Sequence, residues 1–266
     1  MSPLPAGPAE SGAAAHVVVS DLDNDTPEVC ADDVHHLHRV LRLRPNEIVT
    51  VTDGAGRWRP CTPPDRWPRE GPAQLVATGP ISFVARVDPL LFVGFGLAKG
   101  DRPEWVVQKI TELGVDHIIP VVCARSVVRW EGERATRHIQ RLRAVAREAV
   151  MQSRQCWVPV VHDVEDFADL VRRTSADARD AARSAPGGVK GWPTAEPVLA
   201  DREGSPPSLA APFVLVGPEG GWSDAERDSV SGRMSVGSSV LRAETAAVVV
   251  ASALALLRSR LVGPRA

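Results

Sequence analysis

The sequence predicts an α/β fold with a largely parallel sheet in its C-terminal part, preceded by a small all-β region. Three observations carry this. From Leu90 to the end, short apolar runs alternate with segments of helical period. Residues 47–59 alternate with period two around Asp53-Gly54, a strong hairpin signal. Two stretches near the C-terminus, Val214-Leu-Val-Gly-Pro-Glu-Gly-Gly-Trp222 and Val240-Leu-Arg-Ala-Glu-Thr245, each read as a buried strand breaking into a loop and then a helix.

Met1 to Ala15 are rich in Ala, Pro and Gly and contain no Lys or Arg and no apolar segment, which predicts a disordered tail (1–15) rather than a secretory signal. Val17 to Val19 predicts a strand. Asp32 to Leu41 predicts a helix with Val34, Leu37 and Leu41 on its buried face. The hairpin follows, then strands at Gln74 to Thr78 and Ile81 to Val87, so residues 16–85 are expected to form a small β-barrel. Leu90 to Phe95 is an apolar strand ending among Gly94, Gly96 and Gly100. Asp101-x-x-Glu104 is a capping-box pattern with Pro103 in the first turn, and Val106, Ile110 and Leu113 form one face before Gly114 ends the helix. Asp116 to Val122 returns as a strand, completing a β-α-β unit. A second helix near Arg134 to Arg154 places Ile139, Leu142, Val145 and Ala149 on one side and Arg137, Arg141, Arg143 and Arg147 on the other. Ser175 to Pro212 is expected to be a flexible excursion (175–212) with one strand at Pro197 to Ala200. Phe213 to Val216 is a strand, Ser223-x-x-Glu226 a further capping box, and Ala246 to Leu257 a buried helix.

At 266 residues, 44% apolar and 24% charged, the chain suits one large or two ordinary domains. Its longest apolar run falls short of the roughly 20 residues that cross a bilayer, so no membrane association is expected. Cys30, Cys61, Cys123 and Cys156 are scattered, indicating reduced cytosolic thiols and neither a disulfide framework nor a zinc site. His35, His36 and His38 have no common metal-ligand spacing, so no metal is expected. The net charge of −2 argues against nucleic-acid binding, but its distribution does not. Seven Arg face three acids between His35 and Arg69, and eleven Lys or Arg face seven acids between Lys99 and Arg154. A solvated charged surface accounts for these counts equally well. Trp58, Trp67 and Trp130 either stack on unpaired bases or pack internally.

Strand-to-helix junctions present unpaired amides and carbonyls suited to a polar small molecule, and two close together suggest one pocket. The alternative is that the glycines simply make tight turns. Gly217-Pro-Glu-Gly-Gly221 with Leu241-Arg-Ala-Glu-Thr-Ala246 resembles the S-adenosylmethionine site of the trefoil-knot (SPOUT) methyltransferases. The nearest branch is the bacterial enzymes that methylate N3 of a uridine in 16S ribosomal RNA. His35-His-Leu-His-Arg-Val-Leu-Arg-Leu43, Lys99 to Gly114 and Glu148-Ala-Val-Met-Gln-Ser153 agree with that branch in the expected order.

The resemblance implies an N-terminal PUA-like β-barrel (16–85) that docks RNA and a C-terminal knotted α/β domain (88–263). It implies S-adenosyl-L-methionine as cofactor, 16S ribosomal RNA in the small-subunit particle as partner, a cytoplasmic homodimer, and no metal, since the sulfonium is already an activated electrophile. The last helix, Thr245 to Leu261, is the expected dimer face. Cofactor contacts fall on Val216, Gly217, Pro218 and Gly221 and on Ser239, Val240, Leu241, Ala243 and Thr245, with helix capping an equal role for Thr245. Arg242 is the candidate for stabilising charge on the uracil oxygens, and Glu219 or Glu244 for accepting the N3 proton or orienting its acceptor. The alternative is that Arg242 and Glu244 pair structurally, with each other or with a partner subunit. Arg39, Arg42, Lys99, Arg102, Lys109, Arg125 and Arg129 are candidate RNA contacts. Gln152 and Ser153 either line a cleft or end a helix.

Some positions depart from the family pattern. His16-Val-Val-Val19 stands where an Arg followed by aromatics is usual, Val236 where Leu is common, Ser239 where Arg is common, and Ala243 where Thr is common. Rival activities are a knotted methyltransferase acting on ribose 2′-OH or another base, and a non-catalytic RNA-binding ribosome-assembly protein.

Overall fold

The computed structural model describes residues 7–175 and 195–263. The chain divides into two units, residues 1–86 with 147–158 and residues 87–146 with 159–266. The sequence predicts one continuous stretch for each domain, divided between 85 and 88, whereas the first unit also takes in residues 147–158.

In the first unit the elements are β1 (Ala15–Val18), β2 (Glu28–Val29), α1 (Ala31–His35), β3 (Val49–Thr52), β4 (Arg57–Thr62), β5 (Ala73–Gln74), β6 (Val76–Ala77) and β7 (Ser82–Phe83). One sheet has the order β1-β3-β4-β6 with β7 also on β4, and β2 pairs with β5. The β3–β4 hairpin turns where expected, with Gly54 at φ +72° and Asp53 Oδ1 accepting from the amides of Ala55 and Arg57. Val17, Val49, Val51, Leu37 and Leu75 fill the core.

Two expectations fail here. Residues 7–14 do not form a loose tail: Pro8 and Ala13 are buried, and the Ala14 amide donates to the Ile48 carbonyl at 2.8 Å. The helix of residues 32–41 widens into a π turn at His36–Val40, closed by Leu41 N–H to His36 O. The wider turn rotates Leu41 out of the apolar face and leaves it exposed.

Residues 147–158 complete this unit. Arg147 donates to both oxygens of Asp33 and to Val18 O, the Gly56 amide donates to Cys156 O, and the Trp157 indole N–H donates to Val84 O.

The second unit contains β8 (Phe92–Gly96), α2 (Arg102–Glu112), β9 (His117–Val122), α3 (Gly132–Ser153, whose last turns belong to the first unit), β10 (Val160–Val161), β11 (Glu165–Asp166), α4 (Phe167–Thr174), β12 (Val198–Ser205), β13 (Phe213–Val216), α5 (Asp224–Ser229), β14 (Gly232–Met234) and α6 (Ala243–Arg258). The strand order is β10-β9-β8-β13-β12-β14, with β11 also on β9, and every pairing is parallel. Val106, Ile110, Leu142, Val250 and Leu254 pack one face, and Phe167, Leu170, Trp222 and Val230 the other. This is the expected α/β architecture. Within the excursion expected over 175–212, the strand expected at Pro197 to Ala200 is present and runs further, over Val198–Ser205, as an inner strand with Leu199 fully buried; residues 176–194 lie outside the described part.

The two capping boxes have different outcomes. Ser223 and Glu226 form theirs in full. Asp101 makes no side-chain cap hydrogen bond, and the Glu104 carboxylate that would complete the box pairs with Arg141 of α3 at 2.8 Å. Among the described residues, no helix is long and apolar enough to cross a membrane.

Candidate functional site

Parallel sheets place ligands beyond the carboxyl ends of their strands. Here a cleft of about 450 Å³ opens past the ends of β13 and β14, beside Ala200, Asp201 and Arg202 of β12. Its size suits a small organic ligand. The loop after β13 and the loop leading into α6 form its walls, so the two C-terminal junctions meet in one place.

Close packing shapes the first loop. A Cβ on Gly96 would lie 2.6 Å from Pro218 N, so only glycine at the end of β8 lets this loop approach. A Cβ on Gly217 would lie 3.0 Å from the Trp222 ring, which is itself held by its indole N–H donating to Ala200 O at 3.2 Å. Gly221 takes φ +69° and donates to Pro218 O at 2.8 Å. Glu226 anchors the start of α5: Oε2 accepts from the Ser223 amide and hydroxyl, and Oε1 accepts from the Ala124 amide at 2.7 Å.

The second loop differs from expectation. No strand leads directly into Leu241, since β14 ends at Met234 and Gly237 turns the chain at φ +145°. Val240 is 81% exposed. Arg242 occupies the N-cap of α6 and makes no side-chain cap hydrogen bond, which leaves a helix terminus suited to an anionic group.

Val216, Gly217, Pro218, Gly221, Ser239, Val240, Leu241 and Ala243 all line the cleft. Thr245 does not, and it is not the N-cap; it sits exposed in the first turn of α6. Arg242 and Glu219 line the cleft, whereas Glu244 stands back from it with its side chain 14% exposed. Arg242 and Glu244 do not pair with each other among the ion pairs of the described residues; the cation beside Glu244 is Arg102, which also forms a salt bridge with Glu219.

Two expected phosphate contacts are thereby engaged elsewhere. Arg102 faces two carboxylates, and Lys109 holds Glu112 on its own helix at 2.8 Å. Arg39, Arg42, Lys99, Arg125 and Arg129 are exposed, and Arg125 reaches Gly220 O at 3.4 Å. Ser153 donates back to Ala149 O and serves the helix end within the first unit. Trp58 and Trp130 are buried, Trp130 against His138, while Trp67 stacks on His38. Among the described residues no group of three or more His, Cys, Asp or Glu is placed to hold a metal ion.

The sequence reading missed Trp222 as a wall, along with Asp201 and the Arg227 that pairs with it at 3.0 Å. Trp222 directly follows the Gly-Gly pair and carried a usable signal. Asp201 lay inside a stretch whose composition suggested a loop.

The RNA methyltransferase domain model matches residues 88–255, and the RNA methyltransferase PUA domain model matches residues 29–62. Ribosomal RNA small subunit methyltransferase E of Mycobacterium bovis is 30% identical over 87% of this chain and 87% of its own length. The Bacillus subtilis protein of the same name is 28% identical over 86% and 89%. Among solved structures, that of small subunit methyltransferase E from Neisseria gonorrhoeae bound to S-adenosyl methionine superposes with a TM-score of 0.67 at 24% identity, covering 91% of this chain and 97% of that one. With the RNA methyltransferase model spanning most of the chain and these relatives matching it nearly end to end, the chain belongs to the ribosomal RNA small subunit methyltransferase E family of RNA methyltransferases.

Proposed function

We propose that this chain transfers the methyl group of S-adenosylmethionine to N3 of a uridine in 16S ribosomal RNA of the small-subunit particle. The observation that carries the reading is the convergence of the loop after β13 and the loop before α6 on one cleft. The reading includes a trefoil-knotted SPOUT domain over 88–263 and a closed PUA-like barrel over 16–85. Insertion of β13 between β8 and the earlier β12, with the two loops side by side beyond it, supports the knot.

The residues present fit the cofactor. Val216, Trp222, Met234 and Leu241 offer an apolar slot for the adenine, and the uncapped amides of α6 suit a carboxylate. When bound, the sulfonium supplies a methyl group ready for nucleophilic attack, so no metal is required. Because the loop contacts are largely main-chain, Ser239 and Ala243 in place of bulkier residues remain compatible with binding.

Uracil N3 is a weak acid, and attack requires loss of its proton. Arg242, on the cleft wall, donates from its fork to the carbonyl oxygens as negative charge develops there. Of the two candidate glutamates, Glu219 is the one that lines the cleft and takes the N3 proton directly or through water, while Glu244, set back, orients it. Arg39, Arg42, Lys99, Arg125 and Arg129 remain for RNA phosphates. A second, apolar cleft of about 920 Å³ along the outer side of α6, lined by Leu209, Leu256, Leu257 and Val262, supports pairing of two copies through that helix in the cytoplasm.

Nucleoside mass spectrometry of 16S RNA from a deletion strain tests the activity. Loss of 3-methyluridine, restored by the intact chain, is the expected result. A missing ribose methyl in its place would overturn the N3 assignment, and absence of heat on titrating folded protein with S-adenosylmethionine would point to a non-catalytic RNA-binding protein.

A further inference from the structure

Building on the methyl-transfer reading, we propose that Arg102 is a positioning residue for that reaction, fastening the loop after β13 to the start of α6 through Glu219 and Glu244. Its charge suggested a phosphate contact, but its geometry points elsewhere. The guanidinium leaves the first turn of α2 and forms a salt bridge with Glu219 through Nη1, while its Nε lies 4.0 Å from Glu244 Oε1. Glu244 Oε2 is buried with no hydrogen-bond partner among the described residues, and Arg102 is the one cation paired with this carboxylate among them. A buried carboxylate oxygen without a hydrogen-bond partner is costly, and the neighbouring guanidinium offsets that cost.

The consequence falls on the cleft. Glu219 belongs to one wall and Glu244 follows Arg242 of the other wall by two positions, so one planar fork registers the proton acceptor against the oxyanion donor. Arginine suits this because its donors point in fixed, separated directions, whereas an ammonium is a single point. An error of about 1 Å in such a pair costs on the order of 100-fold in rate.

The test compares full-length wild type with R102M and R102K. Hydrogen exchange in protein without RNA should show the amides of residues 219–221 and 243–245 opening several-fold faster in R102M, with R102K between the two. On 16S RNA, kcat for R102M should fall about 10–100-fold with KM for RNA changing less than about threefold. The slope of log RNA affinity against log salt should stay at its wild-type value, whereas a lost phosphate contact would reduce it by about 0.7–0.9. Unchanged exchange in these loops, or a reduced salt slope with kcat preserved, overturns the proposal. If R102M does not fold, R102K decides: exchange and kcat equal to wild type overturn it. A wild-type chain that produces no 3-methyluridine would defeat the methylation reading, and the exchange measurement would still judge the fastening by itself.

Discussion

Arg242 and Glu219 make different demands on the same cleft, and substitution separates them. On the proposed mechanism, Arg242→Gln is expected to lower kcat about 100–1000-fold while affinity for S-adenosylmethionine changes little. Glu219→Gln should lower kcat less steeply at high pH, where solvent base takes over the N3 proton. Equal loss of cofactor affinity and kcat in R242Q would refute this division of labour. His16 gives a prediction of another kind. It opens the segment where an Arg followed by aromatics is usual, and it is buried in the first unit with Nε2 2.9 Å from Gln155 O and Nδ1 2.8 Å from Thr50 Oγ1. Burial lowers its pKa from 6.5 to about 4, with Arg154 adding to the effect and the hydrogen bonds to Gln155 and Thr50 opposing it. The folded state therefore refuses a proton that the unfolded chain accepts. Its contribution is complete above pH 6.5 and is lost as pH falls toward 4, at about 1.4 kcal/mol per pH unit within the window. Burial moves His162 of the second unit the same way, also to about 4. Melting curves from pH 7 to pH 4 should show a steep fall in Tm that is shallower by one proton in His16→Asn; an equal slope would refute the assignment. At this scale the sequence was legible where a residue acts through its own backbone, as at Gly217 or Gly221. It was opaque for Arg102, whose partners lie far along the chain.

Among the elements, the end of β8 controls the cleft although it contributes nothing to its lining. A methyl group at Gly96 would strike the backbone of Pro218 at 2.6 and 2.9 Å, and backbone cannot swing aside as a side-chain tip can. Gly96→Ala is expected to weaken S-adenosylmethionine binding by about tenfold or more, equivalent to roughly 1.4 kcal/mol or more. Gly100→Ala is the control: φ is +72° with open space around it, so it should cost about 1 kcal/mol of stability and leave the affinity alone. Calorimetry on both variants checks the contrast, and wild-type affinity in G96A would contradict it. The helix caps show why element ends were only partly readable. Ser-x-x-Glu at 223–226 formed with Glu226 in no ion pair among the described residues and gaining the Ala124 amide, whereas the Glu of Asp-x-x-Glu at 101–104 pairs with Arg141 on a neighbouring helix. Local pattern names a cap correctly when nothing distant outbids it. Glu226→Ala should accordingly cost about 2–3 kcal/mol, since it strands the Ser223 and Ala124 amides together. Chemical denaturation measures this, and a loss below about 0.5 kcal/mol would show those amides to be satisfied otherwise.

At the scale of the molecule, the order of strands and helices in the second unit was readable because each β-α-β step is local, while the composition of the first unit was not. Hydrophobic period marks where an element lies, and it carries no information on which distant segment supplies its partner. Residues 147–158 continue a helix of the second unit in sequence, yet they belong to the first: Arg147 to Asp33 and Val18 O, Gly56 to Cys156 O, Val158 to Gly54 O, and His16 to Gln155 O. Cutting the chain at the boundary suggested by sequence therefore divides a folded unit. A fragment of residues 88–266 keeps the parallel sheet and the cleft but strands Arg147, Gln155 and Cys156 without the groups that hold them. With several hydrogen bonds and one half-buried ion pair lost, it is expected to melt about 5–10 °C below the full chain. Trypsin should cut it after Arg147 and Arg154, where the intact protein resists. Fragment 1–86 should remain largely unfolded, because its β3–β4 turn loses the pairing of Ala55 with Trp157. If the 88–266 fragment instead matched the full chain in Tm and in protection at those two arginines, residues 147–158 would have to find equivalent partners within the second unit, and their assignment to the first unit would be wrong.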